Sequence, residues 1–216
     1  DYLKNLQKRK DEIKAAIESQ GKWTDELAAA LDDVRTLTEA EDVYRPYKQK
    51  KKTRASVAIA RGLEPLADII EAQELASYDE AELTAPYIDA EKEVPDAAAA
   101  IAGACDIIAE RISDDAGVRK ALRDLALSEG RLVAVADESC EDAEKKKVYE
   151  TYFKFDEGVA NVPSHRVLAV TRGEKEECLK ASVAVDEAKC IAVIAAAKKK
   201  RSAFDALIDA TIEDSY

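Results

Sequence analysis

The stretch that most restricts this chain is Ala97–Ile112, AAAAIAGACDIIAERI. Alanine is the strongest helix former, and nothing in the stretch interrupts a helix except Gly103. Ile101, Ile108 and Ile112 supply bulk, while the alanines and Gly103 let neighbouring backbones approach closely. A helix this apolar needs other helices around it. The rest of the chain agrees: 47% of residues are hydrophobic, only 6% are aromatic, and 216 residues contain 7 glycines and 5 prolines. The expected class is mainly α and multi-helical. A charged fraction of 36% leaves no apolar run of about 18 residues, so no membrane span and no membrane partner are expected.

Periodicity divides the chain further. Leu3, Leu6, Ile13 and Ile17 share one helical face, and Gly21 supplies the stop. Thr24 caps a second helix striped by Leu27, Leu31, Val34 and Leu37. Thr38 and Glu41 fit a capping box, and Pro46 ends the run near Tyr44. These segments predict an antiparallel helical hairpin with Trp23 near its turn. Thr53 predicts the start of a short helix through Arg61, Gly62 its left-handed cap, and Pro65 the first turn of the next. Residues 53–75 therefore have a helix-turn-helix-like outline, although helix pairs with glycine turns are common in all-α proteins. Asp114 and Asp115 predict capping charge rather than a metal motif.

Two stretches depart from helical periodicity. Arg131–Ala136 (RLVAVA) and Cys178–Val185 (CLKASVAV) alternate apolar with polar or small residues. They predict one small two-stranded antiparallel ribbon, 131–136 with 178–185. Between them a helix is expected from Glu141 to Phe153, then the loop DEGVANVP, then a helix capped by Ser164. Ser202 is expected to cap the last helix. The implied division is a helical region over 1–130 and a second, ribbon-bearing region over 131–216. No methionine occurs, and the final helix stops without a breaker, so a piece of a longer multidomain protein is expected.

Function class turns on charge. The formal net charge is −12, yet Tyr44–Arg61 (YRPYKQKKKTRASVAIAR) carries seven cations and no acid. Arg45, Lys48, Lys50, Lys51, Lys52, Arg54 and Arg61 are the candidate contacts to a phosphate backbone. Tyr44 and Tyr47 flank them as candidate stacking platforms, or as anchors of the loop on the hairpin. The plainer reading is a solvated loop that balances nearby acid. Catalysis is not expected. The eleven acids of Glu64–Asp96 are scattered along solvated faces, and adjacent Ser164 and His165 point apart. With one histidine and no CxxC pair among Cys105, Cys140, Cys178 and Cys190, no metal and no cofactor are expected. Reduced thiols in a cytoplasmic protein fit this usage.

Four stretches also resemble a known family. EDVYRPYKQKKKTRASVAIARGLEPLAD, AIAGACDIIAERISDD, VPSHRVLAVTRGEKEECLK and the terminal IEDSY occur in the order and spacing of the Tex transcription accessory proteins. The resemblance covers nearly the whole chain. It implies a multidomain protein in which a helical N-terminal part, with a helix-turn-helix-like piece, precedes an RNase-H-like domain, helix-hairpin-helix motifs and a C-terminal OB-fold that binds RNA. This chain resembles only part of the helical region. The function expected from the charge pattern is a non-catalytic module that contacts RNA or DNA backbone weakly and salt-sensitively through the basic loop. The alternative is a helical scaffold that docks other domains of the parent chain or the transcription machinery.

Overall fold

The structure, a computed structural model, describes residues 1–48 and 52–216. The expected class holds: twelve α-helices and three strands lie among the described residues. They form two units, Asp1–Lys120 with Ile191–Tyr216, and Ala121–Cys190.

In the first unit α1 (Tyr2–Ser19), α2 (Asp25–Asp33) and α3 (Leu37–Tyr44) build the predicted hairpin. Gly21 turns the chain at φ +68°, and Thr24 accepts the Leu27 N–H at 3.3 Å. Leu6, Ile13, Ile17, Leu31, Val34 and Ala40 form the hairpin core, with Trp23, Tyr44 and Tyr47 against it. Leu3 departs from the expected stripe; it is 76% exposed, and burial begins one turn later at Leu6. The capping box also sits two residues earlier than expected. Thr36, not Thr38, accepts the Glu39 N–H at 3.2 Å, and the Glu39 carboxylate accepts the Thr36 N–H at 3.1 Å. The shift follows from Val34, which turns extended and buries its side chain rather than continuing α2.

Helices α4 (Arg54–Ala60) and α5 (Glu64–Ala72) are the helix-turn-helix-like pair. Thr53 and Ser56 cap α4 reciprocally, and Pro65 lies in the first turn of α5. Gly62, at φ +84°, closes α4 with two bonds: its own N–H to Ile59 O at 2.9 Å, and Leu63 N–H to Ala58 O at 3.1 Å. Only a residue comfortable at positive φ permits that ending. After α6 (Glu80–Thr84) comes α7 (Ala97–Asp114), capped by Asp96. Helices α4, α5 and α6 all pack on α7. Gly103 explains how α4 comes so near: a Cβ there would collide with Leu63 Cδ1 and sit 3.3 Å from Ala58 Cβ. Helix α8 (Ala116–Glu129) follows, with Asp115 accepting the Val118 N–H at 2.8 Å as the expected cap. Asp114 is instead the last residue of α7.

The second unit contains β1 (Arg131–Ala136), α9 (Ala143–Tyr149), β2 (Lys154–Gly158), α10 (Ser164–Lys175) and β3 (Leu179–Ala184). β1 pairs antiparallel with β3 as predicted, Arg131 opposite Ala184 through Ala136 opposite Leu179. The ribbon is nevertheless three-stranded, in the order β2-β1-β3. The expected helix through Phe153 stops at Tyr149, and a 3-10 turn, Glu150–Tyr152, leads into β2. Phe155 faces Ala134 across the strands, and both are buried with Tyr149, Val170, Cys140, Cys178 and Leu179. One buried aromatic in KFDEG is too little alternation to announce a strand. Ser164 is likewise not the cap expected: Pro163 occupies that place in extended conformation, and no side chain caps α10.

Helix α11 (Glu187–Lys198) leads back to the first unit, where α12 (Asp205–Ser215) packs on α7 and buries Ile208, Thr211 and Ile212. The Ser202 hydroxyl accepts the Phe204 N–H at 3.1 Å, two residues ahead of the N-cap position of α12 that it was expected to fill. Gln73 fastens the return by donating to Lys198 O at 2.8 Å and accepting the Lys200 N–H at 2.7 Å. Among the described residues no helix is long and apolar enough to cross a membrane.

Candidate nucleic-acid interface

The basic segment lies wholly in the first unit, and its placement follows from local chemistry. Pro46 forces a 3-10 turn, Arg45–Tyr47, at the end of α3, and the Thr53 cap fixes the start of α4. Lys50 and Lys51 fall outside the described residues. Tyr44 and Tyr47 are half-buried against the hairpin core, and the Arg9 guanidinium lies 5.6 Å from the centroid of the Tyr44 ring. The Gln20 amide donates to Tyr47 O at 3.0 Å. That arrangement ties the segment to α1.

The arginines of the segment each meet a carboxylate. Arg45 Nε donates to Asp114 at 2.7 Å, and Asp114 is nearly buried. Arg54 reaches Asp214 at 2.6 Å and Asp106 at 3.3 Å. Arg61 reaches Glu93 at 2.5 Å. Lys48 and Lys52 are exposed. The sequence places these carboxylates 32 to 160 positions away from their arginines. The packing of α4 and α12 on α7 brings in Asp114, Asp106 and Asp214, and the Asp89–Val94 loop brings in Glu93.

Two hollows take their lining in part from α4, through different residues of that helix. The larger, about 500 Å³, has α7 as its floor and is lined by Arg45, Lys48 and Arg54 together with Asp106, Glu110, Asp114 and Asp214. Carboxylates outnumber cations there. Burial pushes the Asp106 carboxyl above its ordinary range, partly offset by Arg54, with Asp214 pushing the same way as burial. The smaller, about 370 Å³, is lined by Lys52, Ser56, Val57, Ala60, Arg61, Lys92 and Glu93. Here three cations face one carboxylate. The Arg61 hydrogen bond, then its charge, hold the Glu93 carboxyl below the usual glutamate range, and Lys52 adds to this.

Lys92 is the residue that sequence reasoning missed. It is the lone cation in an acid-rich stretch, and nothing in its neighbours marks it. A tight loop delivers it: Asp89 N–H to Val94 O at 2.8 Å and Val94 N–H to Asp89 O at 2.9 Å close a bridge with Lys92 and Glu93 inside. His165 is exposed on α10, and Arg166 pairs with Glu157. No group of three or more potential metal ligands occurs among the described residues.

Residues 76–214 match the family profile described as Tex central region-like. Over 218 aligned residues the chain is 43% identical to a Bacillus subtilis protein named Uncharacterized protein YdcI, covering 100% of this chain and 30% of that one. It is 37% identical over 178 residues to Transcriptional accessory protein Tex of Neisseria gonorrhoeae, covering 82% of this chain and 23% of that one. It is 27% identical over 209 residues to S1 RNA-binding domain-containing protein 1 of Pongo abelii, covering 87% and 20%. The chain thus spans less than a third of the length of these relatives.

Proposed function

Since this chain belongs to the Tex family, we propose that it is a non-catalytic, nucleic-acid-associated module of a cytoplasmic transcription accessory protein. Its basic segment contacts the phosphate backbone of RNA or DNA. Two relatives support a role beside nucleic acid, one named as a transcriptional accessory protein and one named for an S1 RNA-binding domain. The observation that carries the reading is the division of labour within the segment. The arginines are anchored on carboxylates of α7, α12 and the Asp89–Val94 loop, whereas Lys48 and Lys52 stand exposed at either end of the lysine run. A strongly hydrated lysine suits a mobile phosphate contact, and a guanidinium suits a fixed carboxylate.

The test is binding of the chain to short single-stranded RNA, single-stranded DNA and duplex DNA across a salt series. A variant with Lys48, Lys50, Lys51 and Lys52 changed to Gln runs beside it. Wild-type affinity is expected to fall linearly on logarithmic axes, with about 0.7 of slope per single-strand phosphate contact. The variant is expected to lose most of that slope while keeping its helical content. With magnesium or manganese added, all three nucleic acids are expected to stay intact. Absence of wild-type binding at low salt would remove the reading.

A second reading has its own observation. Val148 and Leu168 in the second unit are 70% and 69% exposed. Apolar side chains so exposed favour a scaffold that docks other domains of the parent chain or a transcription-machinery partner. Such docking would survive salt, which separates it from phosphate binding.

A further inference from the structure

We propose that Lys52, Arg61 and Lys92 form a phosphate-binding subsite in the smaller hollow, with the Glu93 carboxylate as its resident anion. The polynucleotide arm of this proposal rests on the nucleic-acid reading above.

The balance of charge selects this place over its neighbour. Among the described residues the larger hollow is lined by more carboxylates than cations, a poorer balance for a polyanion. Among the described residues the smaller one is lined by three cations and one carboxylate, that of Glu93. Val57 and Ala60 give it an apolar wall on which a sugar can rest. The pairing already present shows what the site accepts. Arg61 is engaged by Glu93 through one terminal nitrogen at 2.5 Å, while its buried Nε has no hydrogen-bond partner among the described residues. A carboxylate uses only part of this guanidinium, whereas a phosphate offers more acceptors and more charge to the same fork.

Glu93 is well placed to give way. Its side chain is 77% exposed, and its backbone sits at φ +59° within the tight loop. An exposed pair of this kind holds weakly. Lys92 is equally available, since its contact to Asp89 is long, 3.6 Å, and exposed. Val94, almost fully buried, anchors the loop, so Lys92 stays near Lys52 whichever way Glu93 turns.

The experiment titrates the chain with inorganic pyrophosphate and, separately, with a 5′-phosphorylated single-stranded RNA dodecamer. The side-chain Nε–H resonance of the Arg61 guanidinium, assigned by its loss in Arg61→Lys, reports binding. Both probes are expected to shift it. Glu93→Gln is expected to tighten both roughly three- to fivefold at low salt. Lys92→Gln is expected to weaken both and to lower the RNA salt slope by about 0.7. Both substitutions are at exposed positions and leave the core untouched, which circular dichroism checks. An Arg61 resonance unmoved by either probe overturns the subsite, as do unchanged affinities in both variants. A response to pyrophosphate without RNA binding supports the subsite and removes the nucleic-acid reading. RNA binding lost in the four-lysine variant but indifferent to Lys92 and Glu93 does the reverse.

Discussion

Asp137, just after β1, has a carboxylate that accepts the Ser139 N–H at 2.9 Å and the Ser139 hydroxyl at 2.7 Å, with Lys180 at 3.1 Å. These three donors, in that order of effect, hold its carboxyl down at about 2. An unfolded aspartate titrates at about 4, so the folded state gains from the charged form. That gain is complete above about pH 4 and disappears as the pH falls from about 4 towards about 2. Thermal melts of the chain across this range should therefore drop, and Asp137→Asn should start lower and drop less. An equal drop in the variant would show that Asp137 is not the group involved. At this scale the sequence was most legible where one residue acts on its own backbone. Thr24, Thr53 and Gly62 were readable because a cap or a positive φ depends on residues at most a few positions away. Thr38 was the cap expected, and the burial of Val34 moved the cap to Thr36.

Helix α7 shows what an element contributes beyond its residues. Its alanines and Gly103 predicted close packing, and α4, α5 and α12 occupy the space they leave. Gly103→Val places branched bulk against Leu63 and Ala58, both buried. Overpacking of this kind costs about 2 kcal/mol, more than the helix propensity recovered by replacing glycine. Denaturant unfolding followed by circular dichroism should show that loss, and an unchanged midpoint would mean that α4 can move away. The same change should weaken polyanion binding, because α4 carries Ser56, Val57 and Ala60 of the smaller hollow and precedes Arg61. Strand β2 was hidden for an opposite reason. KFDEG has one apolar side chain inward, and its pairing with β1 is non-local, so no window of sequence records it.

Across the whole molecule, a net charge of −12 opposes any polyanion at long range, while the basic segment attracts it at short range. Protonating carboxylates removes the opposition. Asp106, whose carboxyl burial has pushed up, is among the first to respond. Lowering the pH from about 7 to about 5 at constant salt should tighten RNA binding roughly twofold or more, and a flat profile would show that the distant acids do not matter. The sequence by itself determined the helical class, the hairpin, the helix-turn-helix-like outline, the pairing of β1 with β3, and where positive charge collects. Each of these rests on local periodicity, on caps, or on charges adjacent in the chain. Tertiary structure alone decided which of those charges face carboxylates. Packing on α7 brings Asp114, Asp106 and Asp214 to the arginines, and the closed Asp89–Val94 loop sets Lys92 beside Lys52 and Arg61. Electrostatic interaction depends on distance through space, and distance between side chains from separate helices is set by how those helices pack.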